Sequence, residues 1–152
     1  MKELLEYRVF LVNRLRQAAK EFYEAAVSLD PSVKWSGEWT LQQIAAHVRT
    51  LNDVYAERAR EILAEENPLF ENFDPEAWML SNYEPDEPFK KILDEFKGNV
   101  DALCDTLSSL PVEAWSRESR HETIGDSLTL QLWVERDLAH IEDHLLEIKS
   151  EA

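Results

Sequence analysis

The 152 residues carry a formal charge of −15, from 31 Asp and Glu against 16 Lys and Arg, so a phosphate backbone or an anionic membrane is repelled. With 44% hydrophobic residues, three glycines and one cysteine, the composition excludes disorder, an intramolecular disulfide and a thiolate cage for zinc. The length suits one domain, residues 1–152, with a full core. The start, Met1-Lys-Glu-Leu-Leu-Glu6, has no apolar signal core, and no apolar run nears the ~18 residues of a membrane span, so a cytoplasmic protein is expected.

Taken in chain order, the apolar spacing predicts four long helices. Leu4, Leu11, Leu15, Ala18, Phe22, Ala25 and Leu29 recur at threes and fours, giving a first helix over 3–29 that Asp30-Pro31 ends. Trp35 to Trp39 reads as a turn carrying two large aromatics. Thr40-Leu-Gln-Gln43 has capping-box spacing and starts the second helix, whose stripe is Leu41, Ile44, Val48, Leu51, Tyr55, Ala59 and Ile62. That helix stops before Asn67-Pro68. Residues 67–88 read as a long irregular connection whose aromatics cap one end of the bundle or line a pocket mouth, with a tied-down crossover as the plainer reading.

Pro88 suits the first turn of a third helix, with Phe89, Ile92, Phe96, Val100, Leu103, Leu107 and Leu110 as its stripe and Pro111 as its end. Cys104 sits beside that stripe as a small core-edge residue. Residues 111–126 form another connection, and Asp126 or Ser127 is expected to cap a fourth helix with Leu130, Val134, Leu138, Ile141, Leu145 and Ile148 inward. No strand alternation stands out. The fold class is therefore all-α, a four-helix bundle whose long second connection leaves helices two and three parallel.

The chemistry lies in His140-Ile-Glu-Asp-His144. A helix turns about 100° per residue, so the two imidazoles stand one above the other and can reach one ion. The chain has two other histidines, His47 and His121. His47 lies about 100° to one side of Val48, on a flank that meets the flank of His140 and His144 at the seam between helices two and four. Three imidazoles with an open position are the donor set of a catalytic metal site. The zincin pattern is excluded because Ile141, not Glu, follows His140. A ferritin-like di-iron site needs two Glu-x-x-His pairs, and only Glu118 to His121 occurs.

Around the triad, Asp137 lies one turn before His140 and is placed to accept a ligand's second N–H. Tyr55, Arg58 and Trp133 are pocket-lining candidates, each with core packing or solvation as the plainer reading. His121 reads as a loop anchor rather than a fourth ligand. No residue stands out as a general base. Three imidazoles suit zinc, nickel or iron alike.

Trp39-Thr40 with His47 seven residues after Thr40, Arg117-Glu-Ser-Arg-His121-Glu-Thr-Ile-Gly125, Leu128-Thr-Leu130 and His140-x-x-x-His144-Leu-x-x-Ile148 together resemble the DinB-like superfamily. The resemblance spans nearly the whole chain in order. It implies an up-down-down-up bundle and a divalent-metal triad at His47, His140 and His144. It also implies homodimers and small-molecule chemistry: metal-dependent transferases and isomerases that use low-molecular-weight thiols such as bacillithiol or mycothiol, and hydrolase-like resistance proteins. The alternative it leaves open is a stress-related protein that binds metal or a small ligand without turnover.

Overall fold

The computed structural model describes residues 1–35 and 37–151, the last by its backbone alone. Five helices, α1 (Lys2–Ala26), α2 (Leu41–Ala64), α3 (Pro75–Asn82), α4 (Phe89–Ser108) and α5 (Leu130–Glu151), accompany three short strands, β1 (Leu69–Phe70), β2 (Glu118–His121) and β3 (Gly125–Thr129). The four long helices are the predicted bundle. Their inward stripes make one apolar core, in which Leu15, Phe22, Ile44, Val48, Ile62, Ile92, Phe96, Leu107, Leu130 and Ile141 are all but inaccessible.

Cross-helix bonds give the relative sense of the helices. Arg8 reaches Gln131 and Arg14 reaches Glu142, so α1 runs parallel to α5. Cys104 Sγ meets the Val12 carbonyl and Arg16 meets Asp101, so α1 runs against α4. Arg49 pairs with Glu95 and Asn99 with Asp53, which makes α2 and α4 parallel. Asn52 bonds Asp137 and His47 meets His140, so α2 opposes α5. A chain leaving the end of a 24-residue α2 must therefore travel back about 36 Å before a parallel α4 can begin.

That return is more ordered than its sequence pattern suggests. Residues 67–88, expected to be irregular, hold β1 and α3. The signal for α3 is local: Asp74 accepts from the amides of Glu76 and Ala77, and Pro75 occupies the first turn. The connection expected over residues 111–126 holds a 3₁₀ turn (Val112–Ser116) and, running on to Thr129, the β2–β3 hairpin. β1 joins the hairpin in parallel, with Leu69 opposite Arg120 and Phe70 opposite His121. Strands of two to five residues are too short for alternation to show.

Three boundaries differ from expectation. α1 ends at Ala26, not residue 29; beyond it, Asp30 Oδ1 accepts from the Ser32 amide at 2.9 Å and holds a turn. Neither Asp126 nor Ser127 caps the last helix, because both lie within β3; Thr129 Oγ1 accepts from the Leu132 amide instead. The Trp35–Trp39 turn is closed by Trp35 N–H donating to the Trp39 carbonyl at 3.0 Å, while its Ser36 lies outside the described residues. No helix among the described residues is long and apolar enough to cross a membrane.

Candidate metal centre

The site begins with the start of α2. Thr40 Oγ1 accepts from the Gln43 amide at 3.2 Å and Gln43 Oε1 accepts from the Thr40 amide at 2.8 Å, a complete capping box. Helix phase is thereby fixed two turns before His47. On α5, His140 and His144 follow from Thr129, whose hydroxyl sets the first turn. The α2–α5 seam then brings three rings together. His47 Nε2 and His140 Nε2 stand 2.9 Å apart. Ring centres are separated by 4.8 Å for His47 and His140, 5.1 Å for His47 and His144, and 4.6 Å for His140 and His144.

One ring nitrogen from each lies within 4.8 Å of the other two. Two nitrogens that each bind zinc at about 2.05 Å in tetrahedral geometry are about 3.3 Å apart, a spacing these rings bracket. The set can hold a divalent ion.

Burial sets the protonation of the rings. It pushes the His47 imidazole down to about 4, with the neighbouring His144 adding to the effect. His140 is pushed down to about 3 by burial and then by the two other histidines. Both rings are therefore neutral at pH 7, each with one unprotonated nitrogen. Their Nδ1 atoms are buried without a hydrogen-bond partner. Unpaired buried polar atoms are uncommon and gather where a site has work to do. Trp39 closes one side, edge-on to His47 with ring centres 5.1 Å apart.

The carboxylate beside the triad is Glu147, whose Oε1 lies 3.0 Å from His144 Nδ1. That leaves Nε2 as the ring nitrogen of His144 not engaged by Glu147. Sequence reasoning missed Glu147, although its position three residues after His144 places it on the same helix face. Asp137, expected in that role, turns elsewhere. It is 1% exposed and its Oδ2 accepts from Asn52 Nδ2 at 2.8 Å. Burial raises its carboxyl well above the usual range. Asn52, also unforeseen, is fully buried.

The remaining candidates assemble around Trp133, about 10 Å further along the helix axis from His140. Trp133 is a core residue whose indole N–H donates to Ser119 Oγ at 2.8 Å. Tyr55 and His121 pack on it with ring centres 6.1 Å away, and the Arg58 guanidinium carbon lies 4.7 Å from its ring centre. His121 Nδ1 accepts from the amides of Thr123 and Ile124 and so holds the β2–β3 turn. Cys104 is buried, and burial pushes its thiol up to about 12, which removes it as a nucleophile.

A family model described as the DinB superfamily matches residues 9–148. No curated protein matches the chain. Among solved structures, the chain is similar to one described as "YfiT from Bacillus subtilis is a probable metal-dependent hydrolase with an unusual four-helix bundle topology". The TM-score is 0.87 and the identity 17%, over 95% of this chain and 85% of that one. At such identity the likeness speaks for the fold.

Proposed function

The chain belongs to the DinB superfamily, and on that premise we propose that it is a divalent-metal-dependent enzyme of the hydrolase type. In this reading it acts on a small molecule, with His47, His140 and His144 as the ligands. One observation carries the reading: three ring nitrogens from two helices lie within 4.8 Å of one another. The two more buried rings are held neutral. An ion bound there supplies Lewis-acid activation of water or of a small thiol in the positions the protein leaves open.

The chain's own residues do the rest. His47 and His140 present unprotonated nitrogens without first releasing a proton. Glu147 fixes the tautomer and rotation of His144. Trp39 walls the site next to His47 and limits access of bulk water. Glu147 is also the group best placed to take up a proton at the rim, its side chain being 22% exposed. The charge of −15 favours neutral or cationic substrates over polyanions.

The test is turnover of a panel of small esters and amides, with and without a low-molecular-weight thiol, by stripped and by zinc- or nickel-loaded protein. Metal-dependent turnover that His144→Ala abolishes is expected. Equal rates in the loaded wild type and His144→Ala overturn the enzyme reading, and thiol-dependent turnover moves the reaction from hydrolysis to S-transfer.

A further inference from the structure

Away from the histidines, the N-terminal half of α1 holds a buried cation in unusual company. Arg8 is 6% exposed and is the one buried arginine among the described residues. Its Nε donates to Gln131 Oε1 at 2.9 Å, its Nη1 to the Val112 carbonyl at 3.2 Å, and its Nη2 to Ser116 Oγ at 3.4 Å. Its guanidinium carbon lies 5.7 Å from the Trp115 ring centre. All of these partners are neutral. A guanidinium has five N–H donors in a fork shaped for a carboxylate, so this fork is partly unused and its charge is uncompensated.

Arg14, Arg16 and Arg49 each meet two carboxylates, while Arg58, Arg117 and Arg120, which bond backbone carbonyls instead, are less buried than Arg8. In a chain with 31 acidic residues, no carboxylate among the described residues forms an ion pair with Arg8. Beside it, a cavity of about 300 Å³ opens between the N-terminal half of α1 and the end of α4. Its walls are mostly apolar, from Leu5, Val9, Val12, Leu107 and Trp115, with Asn13 and Ser108 as polar members and Arg8 as the charged one. Val9 stands at the rim, 63% exposed.

We propose that this cavity binds a medium-chain monocarboxylate, with the head group on Arg8 and the hydrocarbon tail along the apolar walls. Charge complementarity selects the head group: a planar carboxylate matches the guanidinium fork. The acidic surface disfavours polyanions, so a ligand with a single charge and a large apolar part is the class that fits. A tail of about ten carbons fills the volume, each methylene taking roughly the 30 Å³ of a water molecule. Ser116 Oγ, the longest of the three contacts, is the partner such a head group displaces most easily.

The experiment titrates the full chain with decanoate and with decanol by calorimetry, with sedimentation velocity alongside. One saturable site is expected, at least about tenfold tighter for decanoate, as a hydrogen-bonded charge contributes. Val9→Trp, which fills the mouth from an exposed position, should abolish binding of both. Arg8→Gln should bring the two affinities together, and Arg8→Lys should keep the preference for the acid. His140→Ala should leave decanoate binding unchanged, which separates this cavity from the histidines. Equal affinities for acid and alcohol overturn the proposal, as does undiminished decanoate binding in Val9→Trp. A dimer that Val9→Trp dissociates, without decanoate binding, also overturns it by giving the cavity to a second copy of the chain.

Discussion

Replacing Asp137 by Asn should stabilise the metal-free protein at neutral pH. Asp137 and Asn52 are both essentially inaccessible, and a single 2.8 Å hydrogen bond joins them. The other oxygen of each side chain is buried without a partner. An asparagine at 137 keeps the existing bond and offers an N–H to Asn52 Oδ1, a gain of about 1 kcal/mol. It also removes an ionisable group that the fold holds unfavourably. Burial raises the folded-state pKa of Asp137 above its unfolded value, so the folded chain binds the proton more tightly.

Its contribution is therefore fully present below pH ~4 and declines as pH rises toward the folded value, at up to about 1.4 kcal/mol per pH unit. Asp137→Asn lacks that decline. Urea unfolding followed by tryptophan fluorescence should give the variant a midpoint higher by about 0.5 M or more at pH 7. The difference should shrink on going to pH 4. His47 and His140 titrate in both proteins and cancel in the comparison. A variant less stable than wild type at pH 7, or a difference that grows toward pH 4, refutes the reasoning.

Glu147→Ala should weaken zinc binding about 10- to 100-fold, because His144 loses the group that orients it. Its metal-free melting curve should change little, which calorimetry on both forms checks. The folded-state values of about 4 for His47 and about 3 for His140 lie below the unfolded 6.5. Metal-free stability should therefore fall as pH drops from about 6.5 to about 4. For the same reason zinc affinity should fall by no more than one proton's worth, about tenfold per pH unit, between pH 7 and 5; a steeper dependence contradicts those protonation states. Thr40→Ala removes one half of the capping box and should cost about 1 kcal/mol by thermal melt.

The four long helices were readable because each buries one face, and a stripe at threes and fours leaves an unmistakable period. The flank of His47, like that of His140 and His144, was readable for the same reason, since helix phase follows from that period, whereas the adjacency of the two helices does not. What escaped is where structure depends on single contacts rather than periodicity. β1 has two residues and no pattern of its own. α3 was legible in Asp74-Pro75, a capping signal overlooked amid the aromatics. Asp137 and Glu147 are both acids one turn from a histidine, and spacing alone does not rank them. Burial and the presence of Asn52 across the seam draw Asp137 inward, which leaves Glu147 for the ligand.

Anomalous diffraction at the zinc edge, from crystals of zinc-loaded protein, shows directly whether His47, His140 and His144 hold one divalent ion. One peak is expected, bonded by the Nε2 atoms of those three residues at about 2.0–2.1 Å, with at least one further position open. No peak at saturating zinc, or a peak held by other residues while the three rings stay as they are, contradicts that assignment.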